Sequence, residues 1–345
     1  MGGRLRHNHQ IHSSLRRVHL RIPSTAEPSS QPAAVADADR RAPRRPEPGA
    51  MEGGLANPAA EVRQVWASNL EEEFERIRSA KEKYPYVSMD TEFPGEIHTP
   101  INKQYWELSP SERYEGIKAN VNALHLIQVG LAFATADSRP SVAFEINLRE
   151  FDPLVHPHNP TSIELLTKSG IDFDRNRAEG VDASRLAILL EESGILGNSG
   201  ITWVTFDPAS DFAYLVKLLT ARDLPDTLSD FLRNVGNFFG NEVYDVKYMI
   251  RGLRYLPGKL EDMARSIGVK RETGSSHHAG SDSILAWNAF RKLRDLHFSQ
   301  TGVRQFAGVL NALGPIPSGC GVNSAAAATG DGSGSSSNKP PVGDN

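Results

Sequence analysis

Cysteine is almost absent from this 345-residue sequence: the only one, Cys320, lies in a Gly-, Ser- and Ala-rich stretch near the C-terminus. A disulfide within the chain is therefore excluded, and a reducing compartment is expected. The sequence also lacks any run of 18 apolar residues, so we expect neither a membrane-spanning helix nor a membrane partner. Internal repeats are absent as well. These absences leave a globular intracellular protein as the expectation.

Charge is unevenly distributed along the chain. The formal net charge is -4, but residues 1–50 hold nine Arg and four acidic residues, a balance of +5, so the remainder carries -9. A generally basic nucleic-acid binder is thus not indicated. Acidic residues that hold divalent cations can nevertheless make a site attractive to phosphate. The acidic balance of the main part therefore does not exclude a nucleic-acid substrate.

Composition divides the chain into three parts. Residues 1–57, rich in Arg, Pro and Ala, and residues 313–345, rich in Gly, Ser and Ala, are predicted to be disordered. Residues 58–312 show no break in composition and are predicted to form one domain. The first 25 residues have five Arg and no acid, as an organelle transit peptide would, or they form a plain disordered arm.

Hydrophobic periodicity predicts a mixed α/β fold for the middle part. One amphipathic helix is predicted over 61–84, from apolar residues at helical spacing: Val62, Val65, Trp66, Leu70, Phe74 and Ile77. Three strands are then predicted within 86–93, 123–134 and 141–148, as an antiparallel meander. Helices alternating with a strand at 200–206 imply a parallel addition to the sheet, and the last third reads as helical. We expect a mixed central sheet flanked by helices.

Two carboxylates occupy alternate positions of the first predicted strand, in the stretch VSMDTEFPG. Because side chains two apart on a strand share a face, Asp90 and Glu92 are predicted to point together. Paired anions inside a sheet repel and are costly to desolvate, and a divalent cation would relieve both costs. A solvated acidic face on an edge strand explains the pattern equally well.

Two further acids begin predicted helices on their apolar faces. Asp211 precedes Leu215 and Leu218 in SDFAYLVKLL, although an acid there is also favoured by the helix dipole, with Asp207 as the N-cap. Asp282 is in line with Leu285 and the apolar residues that follow it, and Ser281 is the better candidate for the cap.

Together, Asp90, Glu92, Asp211 and Asp282 can converge at one end of the sheet. Oxygen ligands of this kind suit Mg²⁺ or Mn²⁺; zinc would require His or Cys ligands at a spacing that is absent. His277, in a Gly/Ser loop five residues before Asp282, is a candidate general base, or else a solvated bystander.

The order of these acids resembles that of the DEDD exonucleases, His variant, which have a ribonuclease-H-like fold. More narrowly, MDTEFPG, LHLIQVGLAF, WVTF, YDVKYMI and HHAGSDSIL resemble the Caf-one/Pop-two type deadenylases of the Ccr/Not deadenylation complex, over residues 58–312. The resemblance departs at 207–210, where Asp-Pro-Ala-Ser stands in place of the usual His-Ser-Gly-Tyr. An aromatic ring is missing there, which puts adenine preference in doubt.

What the resemblance implies is a 3′-to-5′ exoribonuclease that shortens poly(A) tails of mRNA and releases 5′-AMP. It implies that Asp90, Glu92, Asp211 and Asp282 hold two cations, Mg²⁺ or Mn²⁺, and that His277 is the base. It implies poly(A) RNA as a partner rather than DNA, a large Not-type scaffold, a second deadenylase subunit, and a location in cytoplasm and nucleus rather than an organelle.

Two other functions remain open from the residues. One is a noncatalytic bridging module of the same complex, which the altered 207–210 stretch would suit. The other is a DEDD nuclease that trims other 3′ ends. Elsewhere, Asp245 and Lys247 in YDVKYMI are predicted to be structural, for example as a buried pair, with a direct catalytic role as the alternative, and Trp203 is predicted to lie in the core. No cluster of Arg and aromatic residues predicts a surface that reads RNA sequence.

Overall fold

A computed structural model describes residues 60–99 and 103–318, which contain an eight-stranded mixed sheet. The strands are β1 (Glu61–Val65), β2 (Tyr86–Glu92), β3 (Gln128–Ala134), β4 (Val142–Asn147), β5 (Thr202–Thr205), β6 (Val243–Asp245), β7 (Val309–Leu310) and β8 (Gly314–Pro315). Their spatial order is β1-β4-β3-β2-β5-β6-β7-β8.

Strand directions follow the prediction in the centre of the sheet. The strands β2, β3 and β4 form an antiparallel meander, and β5 adds to β2 in parallel. The strand β6 is in turn parallel to β5. The carboxyl ends of β2, β5 and β6 therefore lie at the same end of the sheet, and we call this the acidic end after the residues described below.

Helices cover both faces. They are α1 (Leu70–Lys81), α2 (Pro110–Ala123), α3 (Pro160–Ser169), α4 (Phe173–Glu179), α5 (Ala183–Ser193), α6 (Ala209–Thr220), α7 (Leu228–Phe239), α8 (Val246–Met249), α9 (Leu260–Ser266) and α10 (Ala279–His297). Within the two described ranges, none is both long and apolar enough to cross a membrane.

Alternation along β3 separates the two packing layers. Val129, Leu131 and Phe133 belong to the large core formed with α1, α2, α5, α6 and α7. On the other face, Ala132 packs with Ile284 of α10. Small residues on this second face let α10 lie directly on β2, β3 and β4. Trp203 is 1% exposed, which confirms its predicted place in the core.

The single helix predicted over 61–84 is wrong in its first part. Glu61–Val65 instead forms β1, parallel to β4, with Val65 opposite Ile146. A turn then follows, in which the Asn69 side chain accepts a hydrogen bond from the Trp66 N–H at 2.8 Å. Pairing with an available sheet edge has outweighed the local helical pattern, which is a tertiary effect.

The predicted domain boundary at 312 falls short of the folded chain. The strand β8 and the buried Ile316, 5% exposed, lie beyond it. The segments predicted to be disordered, 1–57 and most of 313–345, lie outside the described residues.

Close contact between β3 and the start of α10 depends on a glycine. A Cβ placed on Gly130 would lie 2.0 Å from the carbonyl oxygen of Ala279, far inside van der Waals contact. Gly130 also faces Asp90 across the β2–β3 ladder. The missing side chain therefore lets the first turn of α10 reach the acidic residue of the neighbouring strand.

We predict that Gly130→Ala lowers the free energy of unfolding by about 3 kcal/mol, because backbone must move to relieve the clash. Urea denaturation measures this. Gly116→Ala in α2 is the matched control: nothing lies within 4 Å of its Cβ, so the same substitution should stabilise by about 0.5–1 kcal/mol. Equal stability of the two variants would contradict the close-approach argument.

Candidate active site

The first two predicted acids lie at the carboxyl end of β2 on the face covered by α10. Asp90 is opposite Gly130, and Glu92 is opposite Gln128. Glu92 is 9% exposed and Asp90 is partly buried. This arrangement excludes the edge-strand explanation, since β2 lies between β3 and β5.

The third acid approaches from the other face of the sheet. Asp211 lies in the first turn of α6, which follows β5, and its carboxylate accepts a hydrogen bond from the Thr91 hydroxyl. Thr91 lies between the two acids of β2 and points the opposite way. The prediction that Asp207 is the N-cap of α6 is wrong: the N-cap is Pro208, and Asp207 has a φ of 59°. Asp211 is therefore held by the strand that carries the first two acids.

The fourth acid and the predicted base come together at the start of α10. Carboxylate oxygens of Glu92 and Asp282 and a ring nitrogen of His277 all lie within 4.8 Å of one another. The backbone N–H of His277 donates to Asp282 Oδ2 at 2.9 Å, in a loop where His277 has a φ of 63°. The geometry thus brings the base candidate next to two of the four acids.

The predicted cap of α10 is wrong. The helix begins at Ala279, two residues before Ser281, and the Ser281 hydroxyl donates instead to the Thr273 carbonyl at 2.6 Å. This bond ties the helix to the loop that precedes His277. Ser281 therefore holds the preceding loop in place rather than capping the N-terminus of the helix.

The neighbouring histidine has a different environment. The two ring nitrogens of His278 lie 3.0 Å from Glu145 Oε1 and 2.9 Å from the Ser169 carbonyl. Glu145 also accepts from the Gly280 N–H at 3.0 Å. The hydrogen bond to Glu145 raises the pKa of His278 above its ordinary value. His278 thus anchors α10 to the sheet, whereas the ring of His277 makes no hydrogen bond within the described part of the chain.

Burial and mutual repulsion perturb the acids. Desolvation raises the pKa of Asp90 well above its ordinary value, and the nearby Asp211, Asp282 and Glu92 raise it further. Desolvation likewise raises the pKa of Glu92. It raises the pKa of Asp211 to about 7, although the Thr91 hydrogen bond opposes this shift. The charged forms of these groups lack sufficient compensation from the protein.

A cation that sequence reasoning missed provides part of the compensation. Arg271 pairs with Asp282 and, at 2.7 Å, with Glu261 Oε2. It lowers the pKa values of Asp90 and Glu92, but less than burial raises them. No periodicity or motif distinguishes Arg271 from other loop arginines. Because one guanidinium does not balance the four carboxylates, their oxygens remain a donor set that fits divalent cations, which prefer carboxylate oxygens.

Asp245 and Lys247 have structural contacts, as predicted, but their side chains do not pair with each other. Lys247 pairs with Asp207, whose other oxygen accepts from Asn311 Nδ2 at 2.9 Å. Asp245 is fully buried and accepts backbone N–H bonds, among them those of Asp207 at 3.0 Å and Lys247 at 2.9 Å. Both residues therefore fix the loop that leads into α6.

Sequence comparisons place this arrangement in a known context. Residues 65–185 match the model of the CAF1 family ribonucleases. The chain is 39% identical over 269 residues to the probable CCR4-associated factor 1 homolog 7 of Arabidopsis thaliana, covering 75% of this chain and 96% of the relative. It is 35% identical over 252 residues to the poly(A) ribonuclease pop2 of Schizosaccharomyces pombe, covering 71% and 72%.

Solved structures agree with the sequence comparisons. The Mg²⁺- and Mn²⁺-bound form of S. pombe Pop2p superposes with a TM-score of 0.68 at 34% identity, covering 74% of this chain and all of that one. A chain in the structure of the yeast NOT1 MIF4G domain co-crystallized with CAF1 superposes with a TM-score of 0.58 at 28% identity, covering 72% of this chain and 96% of that one. The mixed sheet flanked by helices is thus also the fold of these relatives.

We predict that cation-free protein becomes less stable as pH rises. A carboxyl whose pKa is about 7 when folded and near 3.8 when unfolded holds its proton longer in the folded state. The free energy of unfolding therefore falls as pH rises between these two values, and Asp211 alone should account for a loss of about 2–3 kcal/mol from pH 5 to pH 8. Urea denaturation in EDTA at the two pH values measures the loss.

Asp211→Asn should make that loss smaller. The wild type must be compared with Asp211→Asn, because the contribution of His278 to the stability of both proteins also falls as pH rises through its raised pKa. Equal pH dependence in both proteins would contradict the raised pKa of Asp211.

Proposed function

The chain belongs to the CAF1 family of ribonucleases, and on that premise we propose that it is a 3′-to-5′ exoribonuclease that shortens poly(A) tails and releases 5′-AMP. The observation that carries the proposal is the meeting of Asp90, Glu92, Asp211, Asp282 and His277 at the acidic end. The poly(A) ribonuclease pop2, at 35% identity, supports the substrate.

The four carboxylates are proposed to hold two divalent cations, Mg²⁺ or Mn²⁺. The S. pombe relative with both ions supports this proposal, as do the raised pKa values of Asp90, Glu92 and Asp211. Bound cations supply positive charge to the phosphate and lower the pKa of water. Two protein groups prepare Asp211 and Asp282 for this role: the Thr91 hydroxyl and the His277 N–H each hold one oxygen of the respective carboxylate.

His277 is the proposed general base. Its ring is half-exposed and lies beside Glu92 and Asp282, so it can face both water and substrate. In the proposed reaction a ring nitrogen takes a proton from water, whose oxygen bonds to phosphorus. The bond from phosphorus to the 3′-oxygen breaks, and the released oxygen takes up a proton. The His277 N–H and the Arg271 guanidinium both bond to Asp282, and these two contacts hold the loop against the start of α10 during this step.

Partners and location are proposed from the family. The yeast CAF1 crystallized with the NOT1 MIF4G domain supports a Not-type scaffold, and a second deadenylase subunit is proposed on resemblance. Location in cytoplasm and nucleus rests on family membership alone.

Purified protein should shorten a 5′-labelled RNA ending in twenty adenosines when Mg²⁺ or Mn²⁺ is present, and should fail in EDTA. Asp90→Ala should show no ladder, because a proposed ligand and its charge are lost. Gel electrophoresis of the products checks both. A folded wild-type protein that is inactive with either cation would instead favour the noncatalytic bridging module, consistent with the altered 207–210 stretch.

Replacing the adjacent histidines should have separable effects. His277→Ala should lower kcat by roughly 10²- to 10⁴-fold with little loss of stability, since only the proposed base is removed. His278→Ala should destabilise the protein by about 1–3 kcal/mol, because the buried Glu145 loses a partner. Single-turnover rates and urea denaturation distinguish them. A His278→Ala enzyme that is stable but inactive would reverse the two roles.

A further inference from the structure

A short exposed segment concentrates positive charge without obvious structural use. Residues 251–259, which we call the cationic segment, lie between α8 and α9 and read RGLRYLPGK. Arg251, Arg254 and Lys259 are exposed, and no acidic residue occurs from 246 to 260. In a chain with a net charge of -4, such a run is unusual.

The three cations are unpaired within the described ranges. None takes part in an ion pair, whereas Arg265, six residues after Lys259, pairs with Glu261 and Asp262. The Arg251 guanidinium lies only near an aromatic ring, 5.9 Å from that of Tyr248. Their charge is therefore available to a ligand and is not consumed by folding.

Both ends of the cationic segment are tied to the acidic end of the sheet. Before it, Lys247 pairs with Asp207, four residues ahead of Asp211. After it, Glu261 binds Arg271, which in turn binds Asp282. The segment is thus a loop, and the residues that flank it on each side contact the parts of the chain next to the third and fourth acids.

An exposed aromatic ring lies between the cations. Tyr255 is 68% exposed, and its hydroxyl lies 3.4 Å from His297 Nδ1 on α10. The His297 ring packs edge-on at 6.1 Å. The contact with α10 orients the tyrosine ring while leaving most of it open. Cations with an interleaved aromatic ring are what single-stranded nucleic-acid grooves use.

We propose that the cationic segment binds the RNA strand upstream of the bond that is cut, with Arg251, Arg254 and Lys259 on phosphates and Tyr255 stacked on a base. The inference rests on the proposed function and adds a substrate-binding surface outside the acidic cluster. Because phosphates and a stacked base are contacted, the surface binds single strands without reading their sequence.

Binding can be tested apart from catalysis. Fluorescence anisotropy of a labelled RNA ending in twenty adenosines is measured across a salt series, with wild-type full-length protein in EDTA and with Asp90→Ala in Mg²⁺. Arg254→Ala/Lys259→Ala, made in each background, should weaken binding and reduce the slope of log K against log salt by about 1.4, since each lost phosphate contact on a single strand contributes about 0.7.

The matched control is Lys83→Ala/Arg222→Ala. Both residues are exposed and without an ion pair among the residues described, but Lys83 precedes β2 at the far end of the sheet, and Arg222 follows the C-terminus of α6, eleven residues after Asp211. This control should leave the slope unchanged. An equal slope change in both double variants would overturn the proposal in favour of bulk charge, and an unchanged slope in the first would overturn it outright.

Variants of Tyr255 measure the contribution of base stacking apart from that of charge. Tyr255→Ala should weaken RNA binding by roughly 10- to 100-fold, while Tyr255→Phe, which keeps the ring, should not. Equal affinity of Tyr255→Ala and wild type, or no RNA binding by the parent proteins, would overturn the proposal. Binding that is lost in these variants while an inactive wild type still binds RNA would support this surface and reject the proposed catalysis.

Discussion

The burial of neighbouring carboxylates is the constraint on which the rest of the structure depends. Asp90, Glu92, Asp211 and Asp282 meet where β2 ends and α6 and α10 begin, and burial is the largest cause of the raised pKa values of the first three, with repulsion from neighbouring acids adding to it. Without a cation, the burial of these charges destabilises the folded state, and among the described residues Arg271 and a few hydrogen bonds offset this only in part. Bound cations would remove the destabilisation, so the unfavourable electrostatics themselves indicate a cation site.

Several neighbouring features follow from holding these charges in place. Gly130 lets α10 approach β3, and Glu145 binds both His278 and the Gly280 N–H, so the first turn of α10 is fixed on the sheet. Asp207, turned away from the helix by its positive φ, instead binds Lys247 and Asn311. Its Asp-Pro-Ala-Ser stretch therefore has a local structural use that retains Asp211 at the site.

Sequence alone predicts the parts of this site that follow from local periodicity. Alternation places Asp90 and Glu92 on one face of β2, and the apolar faces of α6 and α10 direct Asp211 and Asp282 inward. Where the outcome depends on which element lies next to which, prediction fails. The strand β1 forms because an edge of β4 is available, and Lys247 pairs with Asp207 rather than Asp245 because β5 and β6 are neighbours. Sequence does not predict the role of Arg271 either, because its contact with Asp282 depends on how the loop packs against α10.

The cationic segment shows how one enzyme can reconcile two opposed electrostatic demands. A cluster of carboxylates attracts cations but, before they bind, repels the phosphates of an approaching strand, so positive charge placed elsewhere adds to the affinity for RNA. Arg251, Arg254 and Lys259 are exposed, and the segment that carries them is joined to the acidic end through the Lys247–Asp207, Glu261–Arg271 and Arg271–Asp282 pairs. Binding and chemistry can then use opposite charges on adjacent parts of one surface.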